Sequence, residues 1–180
     1  MTNKLCVIAA VRSDEELDAA LSADIHTIFF LSPDIMELSY VAQKVHNAGK
    51  RLFIHIDLTD GLGKDKSGVE FAKNAGVDGI ISTRANLIKF AREQGMATVQ
   101  RFFIVDSHSI DTTVETLKAS KADMVEVMPG IAPKIIEKLK LRISVPIIAG
   151  GLIETEEEVN TALNCGAYAV STGSCRLWNL

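Results

Sequence analysis

The feature that most constrains the fold is a regular alternation of short apolar segments with amphipathic helical segments along the chain. Eight segments rich in Val, Ile and Phe are typical of buried strands, and helical patterns with capping residues separate them. The predicted strands are residues 5–11, 25–31, 51–57, 79–82, 98–106, 124–128, 145–149 and 167–171. This order favours an α/β fold, a compact (β/α)8 barrel of the TIM type, in a single domain of residues 1–180. Because only residues 173–180 follow the last strand, the last helix is expected to be truncated.

The composition agrees with a sheet that is buried on both faces. The chain has 180 residues, 47% of them hydrophobic, and a mean hydropathy of +0.18, and parallel strands covered by helices need such apolar content. No apolar run reaches the length of a membrane span and the first residues do not form a signal peptide, so a cytoplasmic protein is expected. Cys6, Cys165 and Cys175 form no Cys-x-x-Cys pair, so we expect reduced thiols and no metal site.

Two glycine turns near the C-terminus predict a phosphate site. One apolar strand ends in Gly150-Gly151, and the last strand ends in Thr172-Gly173-Ser174. Glycine can adopt positive φ and lets backbone N–H groups approach an anion closely. The loops after the last two strands of β/α barrels commonly hold phosphate. A phosphorylated small molecule is therefore the expected ligand; the alternative is that Gly150-Gly151 forms only a tight strand-to-helix turn.

Charged side chains within the strands form a second group of candidates. Strand three alternates so that His55 and Asp57 should point into the barrel, and Glu126 should do so on strand six. An inward carboxylate needs a partner, and Arg101 or Gln100 on strand five is the candidate. The inward residues fit three roles: proton transfer in an isomerase or epimerase, a buried polar network, or hydrogen bonds to ligand hydroxyls. The sequence leaves these interpretations open.

Further polar and basic residues lie at strand ends and on helices. The carboxyl ends of barrel strands carry function, and Arg12, Arg84 and Gly130 occupy such positions. Loop 58–68, rich in Gly and Lys, is either a lid or a solvated loop. No strand interior carries a lysine, so a Schiff-base aldolase lacks its nucleophile.

The formal net charge of −4 gives no support to nonspecific polyanion binding. The basic residues on helices four and six form either a solvated surface or an RNA contact; they are Arg84, Lys89, Arg92, Lys134 and Lys138.

A set of short motifs runs through the chain from strand three to the last residues. They are His55-Ile56-Asp57-Leu58, Asp78-Gly79-Ile80-Ile81-Ser82-Thr83-Arg84, Gln100-Arg101-x-Phe103, Glu126-Val127-Met128-Pro129-Gly130-Ile131, Ala149-Gly150-Gly151-Leu152-Ile153 and Leu177-Trp178. In combination they resemble the glycerol-3-phosphate-responsive antiterminators, the glycerol uptake operon regulators of bacteria. The resemblance implies a β/α barrel that binds glycerol 3-phosphate as its effector and the leader mRNA of a glycerol catabolic operon, preventing transcription termination. It implies a cytoplasmic RNA-binding regulator without a cofactor, and not an enzyme.

The resemblance also indicates ligand-binding positions. Arg12, Asp57, Arg84, Gln100, Glu126, Gly150 and Gly151 match the family pattern, and His55, Arg101, Gly130, Thr172, Gly173 and Ser174 complete the predicted site. After strand eight the family typically has Thr-Thr-Ser-Asn, whereas this chain has Ser171-Thr172-Gly173-Ser174, so one hydroxyl is replaced by a bare glycine. The alternative function is a small barrel isomerase, epimerase or lyase acting on a sugar or triose phosphate, with Asp57 and Glu126 as proton-transfer groups. A homodimer is left open.

Overall fold

A closed barrel of eight parallel strands forms the centre of the protein in the computed structural model, which describes residues 6–180. The strands pair in chain order, and the last pairs with the first. They are β1 (Val7–Val11), β2 (Thr27–Phe30), β3 (Arg51–His55), β4 (Gly79–Ser82), β5 (Ala97–Phe103), β6 (Met124–Met128), β7 (Ile147–Gly150) and β8 (Ala169–Thr172). The prediction of a (β/α)8 barrel is confirmed.

Seven α-helices connect the strands and cover the barrel within the described residues. They are α1 (Asp14–Ser22), α2 (Leu38–Asn47), α3 (Lys66–Asn74), α4 (Ala85–Glu93), α5 (Ser107–Ser120), α6 (Pro133–Lys140) and α7 (Glu156–Asn164). The predicted caps form: the side chains of Ser13 and Thr155 accept backbone N–H groups of the first turns of α1 and α7. None of the helices in residues 6–180 combines the length and the apolar character that crossing a membrane requires.

Five predicted strand ends were wrong by two or three residues. β2 begins at Thr27, β3 stops at His55, β5 stops at Phe103, β7 begins at Ile147 and β8 begins at Ala169. The apolar run continues beyond the strand because loop residues such as Ile104 are also buried. Asp106, predicted as the end of strand five, instead caps α5, where its carboxylate accepts the N–H of Ser109 at 2.8 Å. The predicted start of strand one at residue 5 lies outside the described residues.

Side chains of each strand alternate between two apolar layers. Leu52 and Ile54 point outward and pack beneath the helices, whereas Phe53 lies in the barrel interior, where its ring centroid is 5.5 Å from that of Phe29. The predicted alternation of strand three is therefore confirmed. The lower part of the interior is filled by apolar side chains.

The C-terminal tail occupies the place of an eighth helix. A short 3-10 segment (Cys175–Leu177) follows β8. Leu177 and Trp178 are buried, and the indole N–H of Trp178 donates to the carbonyl oxygen of Thr172 at 2.9 Å. The side-chain oxygen of Asn179 accepts the N–H of Asp24 at 2.9 Å. The last helix is truncated, as predicted, and the apolar tail covers the seam that a complete helix would have filled.

Candidate functional site

A cavity of about 410 Å³ opens at the carboxyl end of the barrel, between β1 and strands β5 to β8. Polar side chains and glycine turns from different strands meet there, as the barrel topology predicts. Seven of the residues proposed from the sequence line it: Arg12, Arg101, Glu126, Gly151, Thr172, Gly173 and Ser174. The glycine turns at Gly151 and Gly173, where the sequence predicts a phosphate site, and the inward carboxylate of Glu126 therefore line the same cavity.

The floor of the cavity is a buried ion pair. Arg101 and Glu126 are direct neighbours in the β5–β6 register, and Arg101 Nε lies 2.5 Å from Glu126 Oε2. The hydroxyl of Ser171 donates to the other carboxylate oxygen, Oε1, at 2.5 Å. Arg101 is 5% and Glu126 0% exposed. The register settles which residue of strand five is the partner: Arg101 points inward, and Gln100 points outward.

Gly150 makes room for this carboxylate. A Cβ atom added at Gly150 would lie 2.6 Å from Glu126 Oε1 and 2.7 Å from Ser171 Oγ. Its role is therefore close packing below the cavity, and it has no positive φ. Gly151 does adopt φ +77°, a conformation that favours glycine, and it lines the cavity wall. The prediction that both glycines adopt positive φ in one turn is therefore corrected. Gly150 leaves space for Glu126, and only Gly151 has the positive φ of the turn.

Two more guanidinium groups lie at the cavity rim. Arg12 follows β1, and its Nη1 atom would be 3.5 Å from a Cβ atom at Gly173, so it lies against the turn after β8. Arg176 lines the same cavity from the C-terminal tail. The charges of Arg101 and Glu126 offset each other. Among the other charged residues that line the cavity, Arg12 and Arg176 are positive and Glu154 is negative, so the net charge of the lining is positive.

Arg176 was not among the residues proposed from the sequence. The tail was interpreted through its apolar residues Leu177 and Trp178, which form its buried side. Its position in the sequence could have indicated a role in the site. Arg176 lies four residues after the end of β8, in a loop at the carboxyl end of the barrel, where functional residues of such barrels lie. Because Trp178 anchors the tail against Thr172, the preceding turn carries Arg176 over the mouth.

His55 and Asp57 belong to a polar cluster at the ends of β3 and β4, outside the lining of the cavity. The carboxylate of Asp57 accepts the hydroxyl of Ser82 at 2.9 Å and the N–H of Thr83 at 2.8 Å, and Arg84 Nε lies 3.3 Å from its other oxygen. His55 Nδ1 is 3.8 Å from the carboxylate. None of these residues lines the cavity. Their contacts fit the buried polar network that the sequence left open as one interpretation.

His55 is neutral in this network. The pKa of the imidazole is lowered to about 4, mainly by burial and secondly by the positive charge of Arg101, while the negative charge of Asp57 opposes the shift. His55 Nδ1 and one oxygen of Asp57 have no hydrogen-bond partner among the described residues. The cluster thus holds a neutral, buried imidazole beside a carboxylate that already accepts hydrogen bonds from Ser82 and Thr83.

Two other predicted ligand residues lie away from the cavity. Gln100 faces helix α5, where its side-chain oxygen accepts the hydroxyl of Ser120. Gly130 packs against the end of β7: its N–H donates to the carbonyl oxygen of Gly150 at 2.6 Å. Neither residue lines the cavity, because Gln100 points outward from its strand and Gly130 packs two loops together. Lys64 of the predicted lid donates to the carbonyl oxygen of Thr59 at 2.5 Å.

The sequence model of a known family matches the chain over residues 7–178; its description is glycerol-3-phosphate responsive antiterminator. The chain belongs to this family. The resemblance noted from the motifs is thereby confirmed, and the family pattern covers the strands that form the cavity as well as the tail that carries Arg176.

Relatives of the family agree with this assignment. A glycerol uptake operon antiterminator regulatory protein from Listeria monocytogenes is 33% identical, with a TM-score of 0.92 over 99% of this chain and 96% of that one. A glycerol uptake operon antiterminator-related protein from Thermotoga maritima is also 33% identical, with a TM-score of 0.86 over 97% of this chain and 98% of the other. The uncharacterized protein YgcP of Escherichia coli (strain K12) is 38% identical over 97% of this chain and 92% of its own length.

Proposed function

We propose that the protein is a glycerol-3-phosphate-responsive regulator that binds its effector in the barrel-mouth cavity and binds leader RNA to prevent transcription termination. It acts without turnover and without a cofactor. The observation that supports this most directly is the pairing, in one cavity, of two rim guanidinium groups, Arg12 and Arg176, with a floor of hydrogen-bonding groups.

The two ends of the cavity suit the two ends of a small polyol phosphate. A phosphate ester at the rim meets Arg12, Arg176 and the turns at Gly151 and Gly173, and guanidinium groups form strong charge-assisted hydrogen bonds with phosphate. The hydroxyl groups then reach the floor, where Glu126 offers acceptor oxygens. A cavity of about 410 Å³ is ample for a three-carbon ligand.

The contacts of Glu126 and Asp57 favour sensing over catalysis. An isomerase or epimerase that used both residues would need them to face one substrate, but Asp57 lies outside the cavity that Glu126 lines. Glu126 is held in place by Arg101 and Ser171, one on each carboxylate oxygen. No lysine lines the cavity within the described residues, so a Schiff-base mechanism has no nucleophile there.

Calorimetry tests the effector proposal. The purified protein is titrated with glycerol 3-phosphate, and with glycerol and inorganic phosphate separately; the phosphoester should bind more tightly than either. Arg176→Gln should weaken binding roughly 10- to 150-fold, because a hydrogen bond to a charged group contributes about 1.5–3 kcal/mol. Arg142→Gln is the matched control, since Arg142 pairs with Asp111 on the outer surface. Phosphorus NMR of the mixture should show unchanged ligand.

The result that would overturn the proposal is equal affinity for the phosphoester and for glycerol, or steady conversion of the ligand into product. The RNA part is tested separately, by measuring RNA binding with and without saturating glycerol 3-phosphate. A regulator requires a difference, typically 1–3 kcal/mol of coupling or about 5- to 150-fold in affinity. If the protein bound RNA with the same affinity in both conditions, the proposal that glycerol 3-phosphate regulates RNA binding would be wrong.

A further inference from the structure

The basic residues of helices α4 and α6 differ in whether their side chains are already bound. Arg84 lies beside Asp57, and Arg92 Nη1 donates to Asp123 at 2.6 Å. Lys134 and Lys138, in contrast, make no side-chain hydrogen bond or ion pair with any residue from 6 to 180. The two lysines are also four residues apart on α6, so they share one face of that helix.

These two lysines flank an apolar groove between α5 and α6. The groove has a volume of about 210 Å³. Its floor and walls are aliphatic, and its lining residues besides the lysines are Ile104, Val105, Asp106, Ser107, Ile110 and Ile135. The one carboxylate, Asp106, is already bound to the N–H and hydroxyl of Ser109 at 2.8 Å each. The groove therefore presents an aliphatic slot with two free cations at its edge.

We infer that the α5–α6 groove is the surface that contacts single-stranded RNA, an inference that rests on the proposed RNA-binding function. Val105 in the groove is 85% exposed, and Phe103, just before it on the chain, is 60% exposed. Proteins bind single-stranded RNA by stacking bases on aromatic rings while lysines contact the phosphates. Lys134 and Lys138 line the groove with the exposed Val105, and Phe103, two residues before Val105 on the chain, offers an exposed aromatic ring.

The charge and the shape of the groove favour this occupant. Lysine is depleted in interfaces between proteins, and these lysines stand at the edge of the apolar slot. Double-stranded RNA is contacted mainly through its shape, phosphates and 2′-hydroxyls, whereas unpaired bases are splayed out and can enter a slot. Because the protein carries a formal net charge of −4, a polyanion needs a local basic patch such as this one.

A backbone hydrogen bond connects the groove to the effector cavity. Ile104 lines the groove, and its N–H donates to the carbonyl oxygen of Met128 at 2.8 Å. The side chain of Met128 lines the effector cavity. Strands β5 and β6 also carry Arg101 and Glu126 on the cavity floor. A ligand that shifts the ends of these two strands therefore acts on both surfaces.

The test uses RNA selected from a random single-stranded pool by the purified full chain with glycerol 3-phosphate present. Fluorescence anisotropy then compares the wild-type protein with Lys134→Gln/Lys138→Gln, at several salt concentrations. The groove variant should bind at least tenfold more weakly, and the slope of log affinity against log salt should fall by about 1.4, because each single-strand phosphate contact contributes about 0.7. Phe103→Ala should weaken binding about tenfold without changing that slope.

The matched control is Lys118→Gln/Lys121→Gln, which removes the same charge from exposed positions at the C-terminal end of α5, whereas the α5 residues of the groove lie at its N-terminal end. It should bind RNA as the wild-type protein does, and every variant should bind glycerol 3-phosphate normally. Equal RNA affinity of the groove variant and the control would overturn the inference while leaving the proposed function intact. If the pool yields no bound RNA, the proposed RNA function itself fails. If the groove variant instead changes sedimentation in the absence of RNA, the groove holds a second copy of the chain, which also overturns the inference.

Discussion

Replacing Glu126 by Gln measures how much the buried ion pair at the floor of the barrel-mouth cavity contributes to stability. The change keeps the shape of the side chain and its contact with Ser171, but it leaves the Arg101 guanidinium without its counter-charge. The two side chains are 5% and 1% exposed and 2.5 Å apart, so solvent cannot replace the lost partner. Removal of one member of a buried pair typically destabilises a protein by about 3–5 kcal/mol.

Urea unfolding followed by circular dichroism measures this loss. Arg142→Gln is the comparison, because it breaks an ion pair whose side chains are 43% and 56% exposed; such exposed pairs contribute at most about 1 kcal/mol. The double variant Glu126→Gln/Arg101→Met should recover much of the loss, since neither charge then remains buried alone. If Glu126→Gln shifts the free energy of unfolding no more than Arg142→Gln does, the description of this pair as buried and mutually dependent is wrong.

Three further perturbations follow from the structure. Gly150→Ala should destabilise the protein by about 1–3 kcal/mol in the same urea assay, because the added methyl group would lie 2.6 Å from a carboxylate oxygen of Glu126; an unchanged midpoint would contradict this. Trp178→Ala should cost about 3–5 kcal/mol and lower the Tm, since it removes a side chain that is 1% exposed and its hydrogen bond to the Thr172 carbonyl. His55 has a pKa near 4 when folded and 6.5 ordinarily, so between those values the unfolded state binds more protons and stability falls as the pH is lowered from about 6.5 to 4. His55→Gln should lack this part of the pH dependence, and a slope identical to that of the wild-type protein would refute it.

Much of the candidate site follows from local pattern. The alternation of strand three placed His55 on the inner face, and the apolar runs that end in Gly151 and Gly173 placed both turns at the carboxyl end of the barrel. The inward carboxylate of Glu126 required a partner, and the structure provides one in Arg101. These features depend on the period of a strand and on the direction in which parallel strands run, both of which a sequence records.

Other residues could not be assigned in this way. The sequence does not show which of Gln100 and Arg101 points into the barrel, because both side chains are polar. Burial does not separate them either, since both are buried in the structure. Only the β5–β6 register places Arg101 beside Glu126 and sends Gln100 to Ser120. Asp57 looked like a cavity residue because it continues the alternation of strand three. Its strand stops at His55, so Asp57 turns toward Ser82.

The sequence by itself determined the barrel, because periodicity, caps and glycine turns act over a few residues and repeat along the chain. The tertiary structure alone decided which distant groups share a site. It brought Arg176 to the cavity by anchoring Trp178 on β8, and it placed Lys134 and Lys138 beside the exposed Val105. The physical reason is that a strand or helix is specified by its near neighbours in sequence, whereas a binding site is a set of contacts between segments whose spacing along the chain carries no record of their proximity.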